Sequence, residues 1–157
     1  MALLMNMLAS GLERDWLVSE GGTYPNDARE SGERFARVVV SWFASAQAAG
    51  IPCATAQARE SGLASTAASA LQVGSPEGAG ASLALAVAGY VAGQVFGPGV
   101  ASFPAALGAA GAQIGAVFAN LEATQPQRAQ DIAGACALLA ATTIVVFPAP
   151  MPPAPIT

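Results

Sequence analysis

The sequence predicts an all-α protein, a bundle of about five to six short helices paired in helical hairpins, with an extended Pro-rich C-terminal arm. Three observations predict this class. Residues 78–121 carry no charged side chain and consist mainly of alanine and glycine. Apolar residues recur every three or four positions along most of the chain, which is the spacing of one helix face. Glycine and proline separate the periodic stretches, as they do between helices.

Three helices are predicted in the first half of the chain. An N-terminal helix occupies most of residues 1–22, a segment that we set apart from the bundle at 23–142. The second helix runs from about 27 to 49 and buries Phe35, Val39 and Trp42 at helical spacing. Gly50-Ile51-Pro52 is typical of a helix end, with glycine at the C′ position and proline just beyond. Thr55 then caps a third helix that ends near residue 73.

The centre of the chain predicts a close-packed helical hairpin. Leu83, Val87, Val91 and Val95 recur every four residues, residues 100–121 follow a heptad-like pattern, and Gly97-Pro98-Gly99 separates the halves. Glycine inside a helix costs about 1 kcal/mol relative to alanine, so its repetition indicates that two helices approach each other closely. The predicted packing residues are Gly89, Gly93, Gly97, Gly111, Gly115, Phe103, Leu107 and Ile114.

A last helix and an arm complete the prediction. Thr124 and Pro126 indicate a helix start, and this helix extends to about residue 141. Residues 143–157 begin with a β-branched run and continue with closely spaced prolines, which exclude a helix and favour an extended arm. A disordered tail is the alternative. As an arm, the segment would contact a neighbouring subunit through Ile144, Val146, Phe147, Met151 and Ile156.

The low charge predicts that the chain is covered by something else. Only 10 % of the residues are charged, against about 25 % in a typical soluble domain, and 54 % are hydrophobic. So few charged side chains would leave a lone molecule weakly soluble. We therefore expect a homo-oligomer, or burial against other proteins or lipid. Several of the charged residues fall on one face of the helix predicted at about 27–49, where Glu30–Arg34 and Glu33–Arg37 are spaced to form ion pairs.

Several kinds of chemistry are disfavoured by composition. The chain has no histidine and no lysine, which excludes a Ser-His-Asp triad, histidine metal ligation and a Walker loop. A net charge of −4 with six scattered arginines argues against nucleic acid as the main partner. Cys53 and Cys136 each lie next to alanine and are typical of buried apolar positions. We expect no enzyme activity, no catalytic residue, no cofactor and no metal.

The chain resembles a group of alanine-rich small structural proteins of tailed bacteriophages. The shared features are Ala-Gly-Ile-Pro (Ala49–Pro52), Phe-Pro-Ala-Ala-Leu (Phe103–Leu107) and Pro-Pro-Ala-Pro (Pro152–Pro155), within residues 35–157. The β-branched run at Ile144–Phe147 departs from that group. The resemblance implies a virion component of the neck, tail or capsid surface, assembled in the bacterial cytoplasm as a ring with other virion proteins. A similarity in composition between residues 41–50 and 105–114 is too weak to indicate an internal repeat.

Two other functions remain open from the sequence. Residues 80–121 could form the hairpin of a small holin-like protein of the bacterial inner membrane, although its alanine and glycine supply little transfer energy. The Pro-rich tail could instead be a recognition segment that a partner's groove binds.

Overall fold

Six α-helices are present in residues 3–18 and 21–157, the part of the chain that the computed structural model describes. A π-helical turn at Leu12–Trp16 extends the first helix, and a 3₁₀ turn at Gln57–Arg59 precedes the third. The prediction of a helical bundle is confirmed. The helices are α1 (Met5–Gly11), α2 (Ala28–Phe43), α3 (Glu60–Ala70), α4 (Pro76–Val91), α5 (Leu107–Ala119) and α6 (Gln125–Ala141).

The prediction of a purely α-helical class is wrong, because the described residues also contain six short strands. They form two antiparallel sheets, one of β1 and β2 and one in the order β3-β4-β5-β6. Strands of two or three residues are too short to show an alternating hydrophobic pattern, so periodicity did not reveal them. The strands are β1 (Gln47–Ala48), β2 (Ile51–Pro52), β3 (Val95–Phe96), β4 (Gly99–Ala101), β5 (Ile144–Val146) and β6 (Ala154–Pro155).

The strands shorten the predicted helices. Helix α2 ends at Phe43, because the chain must leave the helix to form hairpin 1 (residues 47–52). Ala49 and Gly50 form its tight turn with φ of 52° and 77°, the left-handed conformation that two-residue hairpin turns need. Thr55 does not cap α3; its hydroxyl accepts a hydrogen bond from the Val95 amide at 3.0 Å. At Thr124 the predicted cap is confirmed, as a capping box with Gln127.

The central break is longer than predicted. The two central helices end at Val91 and begin at Leu107, and residues between them form hairpin 2 (residues 95–101). Gly97 starts its turn with a φ of 58°, a conformation that Pro98 could not supply. Val95 therefore lies in a strand and Val100 in the opposite strand. The four-residue spacing had placed Val95 in a helix, and the heptad-like pattern had placed Val100 in one.

An internal repeat organises the fold, contrary to the expectation from composition. Helices α2 and α4 are each 16 residues long and start 48 positions apart, and the strands of hairpins 1 and 2 are offset by the same 48. Unit 1 is α2, hairpin 1 and α3; unit 2 is α4, hairpin 2 and α5. Unit 3 is α6 and hairpin 3 (residues 144–155). Helix α1 packs on α6 and supplies the second helix of unit 3.

Backbone hydrogen bonds join the three hairpins into a closed ring. An amide just after each hairpin's second strand donates to a carbonyl on the first strand of the next unit, at 2.8 Å in all three cases. Each hairpin is thereby tied to both of the others by backbone hydrogen bonds. The three bonds run from Ala54 to Val95, from Ser102 to Ile144 and from Thr157 to Gln47.

Equivalent positions in the three units build the core. On the inner side of α2, α4 and α6 the side chains near the middle of each helix are fully buried, as are those pointing to the inside of the hairpin ring. Few residues are identical at equivalent positions of the units, so what repeats is the pattern of burial and of hydrogen bonding. The buried sets are Phe35, Leu83 and Ile132 on the helices, then Val39, Val87 and Cys136, and finally Ala48, Phe96 and Val145 in the ring.

Candidate functional site

The predicted close packing of the two central helices is present, but with a different glycine on α4. A Cβ atom added to Gly80 would lie 2.2 Å from the amide nitrogen of Gly115 and 2.9 Å from the carbonyl oxygen of Gly111. Gly111 and Gly115 are therefore placed as the sequence predicted, on the α5 side of the contact. Gly80 was missed because the spacing at 89, 93 and 97 suggested a more regular row.

The other predicted helix-packing residues are not gathered in this contact. Gly89 lies on an exposed part of α4 with open space around it, and Gly93 and Gly97 lie outside the helix with positive φ. Ile114 is fully buried in the core. Phe103 lies in the loop before α5 with 51 % of its surface exposed, and Leu107 is half-buried at the start of α5.

The C-terminal segment folds onto its own chain. Strands β5 and β6 complete the second sheet, and Ile156 forms a β-bridge to Ala48 of hairpin 1. Phe147 and Ile156 are buried and Met151 is half-buried, so these three predicted arm residues pack against the molecule itself. The segment is not a projecting arm here, because the hairpin ring supplies the backbone partners that an extended strand requires.

Two predicted arm residues do lie on the surface. Ile144 and Val146 alternate with buried Val145, so they project from the outer face of the hairpin ring, 40 % and 55 % exposed. Val100 pairs with Val146 in the neighbouring strand and is 48 % exposed. Phe103 follows that strand. We call Val100, Phe103, Ile144 and Val146 the ring face.

The ring face is built from chain segments that carry no charged residue. Residues 44–58, 92–106 and 142–157, which contain the three hairpins, include no Asp, Glu, Lys or Arg. Each of α2, α4 and α6 leads into one hairpin, and the ring joins the hairpins, so the three helix ends meet here. The sequence analysis missed this clustering; its available signal was the recurrence of uncharged segments at intervals of about 48 residues, the period given by the helix starts.

The polar groups buried behind the ring are paired with each other. The Gln94 amide oxygen accepts the Thr55 hydroxyl at 2.6 Å and the Cys53 thiol at 3.4 Å, and its Nε2 donates to the Tyr90 carbonyl. Arg59 donates to the carbonyls of Gly89, Tyr90 and Ala92 at the end of α4. Burial raises the pKa of the Tyr90 phenol, whose hydroxyl donates to the Ala56 carbonyl. These bonds hold hairpins 1 and 2 together.

Charged side chains concentrate at the other end of α2. Glu30 accepts hydrogen bonds from Asn26, through its backbone and side chain, and from Arg34 at 2.6 Å. These contacts lower the pKa of Glu30 to about 2, and the hydrogen bond from the Asn26 backbone amide is the largest cause. Of the two predicted ion pairs, Glu30–Arg34 is present, while Glu33 pairs with Arg29 at 3.0 Å.

The two cysteines differ in environment. Cys136 is fully buried in α6, and burial raises the pKa of its thiol to about 12. Cys53 is half-buried beside Gln94. Within the described residues, no three His, Cys, Asp or Glu side chains are grouped to hold a metal ion.

The helices that the structure describes are all too short or too polar to cross a membrane. No model of a protein family, no curated protein and no solved structure matches this chain.

Proposed function

We propose that this chain is a non-enzymatic structural subunit that assembles with copies of itself and with other proteins through the ring face. The observation that carries the proposal is the combination of exposed β-branched and aromatic side chains with a complete lack of charge on the three hairpin segments. Contiguous apolar surface of this kind is typical of protein–protein contact regions.

The ring face is also suited to assembly by its rigidity. Val100, Ile144 and Val146 project from strands whose backbone groups bond within the hairpin ring, so little conformational entropy is lost when a partner covers them.

The assembly that we propose is the virion of a tailed bacteriophage, at its neck, tail or capsid surface. This part of the proposal is supported by the resemblance at Ala49–Pro52, Phe103–Leu107 and Pro152–Pro155. Two of these segments lie in or beside the hairpin ring, and the third contains β6. They therefore belong to the end of the molecule that the proposal assigns to contact.

Val146→Glu tests the proposal, because it places a charge in the middle of the ring face without entering the core. We expect wild-type protein to form oligomers in sedimentation equilibrium. In the variant, we expect the dissociation constant of these oligomers to rise at least tenfold. Leu121→Glu is the matched control, since Leu121 is 86 % exposed at the opposite end of α5. Circular dichroism melting confirms that both variants fold. A wild-type protein that stays monomeric at millimolar concentration, or equal assembly of Val146→Glu, would overturn the proposal.

A further inference from the structure

A second apolar surface lies on α4 and shares no residue with the ring face. Helix α4 packs against α3, α5 and α6, but one side of it remains uncovered. The uncovered side consists of Glu77, Ala81, Leu85 and Gly89, which are spaced four residues apart and all exposed. Leu85 is the large side chain among them, and 53 % of its surface is accessible.

Leu85 stands between two grooves. The groove between α3 and α4 has a volume of about 890 Å³, and the groove between α4 and α5 about 800 Å³. Both include Ser82 and Leu85, so the Leu85 side chain forms a ridge with a depression on each side. The second groove is lined largely by alanine and glycine, among them Gly108, Gly111 and Ala112 of α5.

Opposite charges mark the two ends of this surface. Arg59 lines the first groove beside the C-terminal end of α4, where it donates to the Gly89 and Tyr90 carbonyls. Glu77 lines the second groove at the N-terminal end of the same helix. The two side chains thus lie diagonally across Leu85, and no other Asp, Glu, Lys or Arg lines either groove.

We infer that this surface binds a second copy of the chain through a two-fold axis that passes beside Leu85. Such an axis turns α4 of one copy antiparallel to α4 of the other and exchanges the ends of the surface. Arg59 of each copy then faces Glu77 of the other, whereas a parallel arrangement would bring like charges together. Each Leu85 ridge enters a groove of the opposite copy, because a two-fold contact is complementary to itself. The small residues Ala81 and Gly89 on either side of Leu85 let the helices approach.

This inference deepens the proposed assembly role, since it names a second copy as the partner of one particular surface. The ring face and the α4 surface are separate, so together they give each subunit two kinds of contact. A two-fold contact alone stops at the dimer, so the second kind of contact is what allows larger assemblies.

Cysteine crosslinking tests the two-fold contact directly. In a Cys53→Ser background, Leu85→Cys places its thiol next to its own symmetry mate, and a short bis-maleimide is expected to convert most of the protein to covalent dimer. Leu121→Cys, more exposed than Leu85 but away from the surface, is the matched control and is expected to stay largely monomeric. Equal crosslinking of the two variants, or none at Leu85→Cys, would overturn the inference.

A charge reversal tests the proposed orientation. Glu77→Arg puts two cations opposite each other in the antiparallel dimer, so we expect its dimer dissociation constant to rise at least tenfold. Glu122→Arg makes the same charge change in the loop before α6 and is expected to have no effect. Failure of this inference is distinguishable from failure of the proposed function. Val146→Glu removes assembly through the ring face and leaves the Leu85→Cys crosslink, while Leu85→Glu removes the two-fold dimer and leaves ring-face contacts.

Discussion

Units 1 and 2 share one backbone plan but present different surfaces. Both have a 16-residue first helix, a side-chain N-cap (Asp27 and Ser75) and a glycine five residues beyond that cap. At that glycine the second helix of the unit approaches: a Cβ on Gly32 would lie 2.5 Å from the Ala64 carbonyl oxygen, much as one on Gly80 would meet Gly115. The close approach of the second helix at this glycine is therefore part of the backbone arrangement that both units share.

The outer surfaces of the two first helices differ in charge. Helix α2 carries Arg29, Glu30, Glu33, Arg34 and Arg37, while α4 carries Glu77 as its one charged residue. This difference shows that the repeat determines which positions are buried, whereas the residue types on the outer side of each first helix can vary. In unit 1 that side is typical of contact with water, and in unit 2 it is typical of contact with protein.

The largest effect is expected where the units differ inside the hairpin ring. Phe96 is fully buried there, at the position that Ala48 occupies in unit 1, and its ring packs edge-to-face on Phe43. Phe96→Ala would leave a cavity, so we expect the free energy of unfolding to fall by about 3–5 kcal/mol. Urea denaturation measures this free energy. The control Val100→Ala, on the outer face of the adjacent strand, should change the free energy of unfolding by less than about 0.5 kcal/mol. Similar losses for both would show that the ring is not packed as described.

A smaller effect is expected at the contact that the units share. Gly80→Ala forces a Cβ against the backbone of α5, so we expect a loss of about 1–3 kcal/mol in the free energy of unfolding. Gly89→Ala is the control on the same helix: its Cβ meets nothing within 4 Å, so the higher helix propensity of alanine should add up to about 1 kcal/mol. Gly32→Ala should resemble Gly80→Ala. A stabilised Gly80→Ala variant would contradict the close approach.

The smallest effect concerns the charged surface of unit 1. The pKa of Glu30 is lowered to about 2 from its ordinary value of 4.5, so its contribution to stability is complete above pH 4.5. It is lost as the pH falls through about 2, because the unfolded chain binds the proton more tightly. We expect Glu30→Gln to flatten the decline of the urea midpoint between pH 4.5 and 2. Glu122→Gln controls for the loss of one negative charge. An unchanged decline in Glu30→Gln would show that the acid sensitivity arises elsewhere.

Helix content and several helix ends followed from the sequence. The Thr124 cap, the burial of Phe35 and Val39 and the closeness of the central helices through Gly111 and Gly115 each depend on local spacing, which a single stretch of chain displays. The candidate surface was predicted less well: Ile144, Val146 and Phe103 are exposed as an interface needs, but Gly89, Gly93 and Gly97 do not pack helices and Phe147 and Ile156 are internal.

What the sequence by itself determined is the local part: where helices start, which face they bury and how little charge the surface can carry. Only the tertiary structure decided the hairpin ring and the three-unit repeat, because both depend on backbone hydrogen bonds between segments about 40 to 110 residues apart, such as Thr157 to Gln47. Backbone amides and carbonyls are the same in every residue type, so a ring built from them leaves little trace in side-chain pattern. The clustering of the three uncharged hairpins follows from that ring, since the ring brings them together.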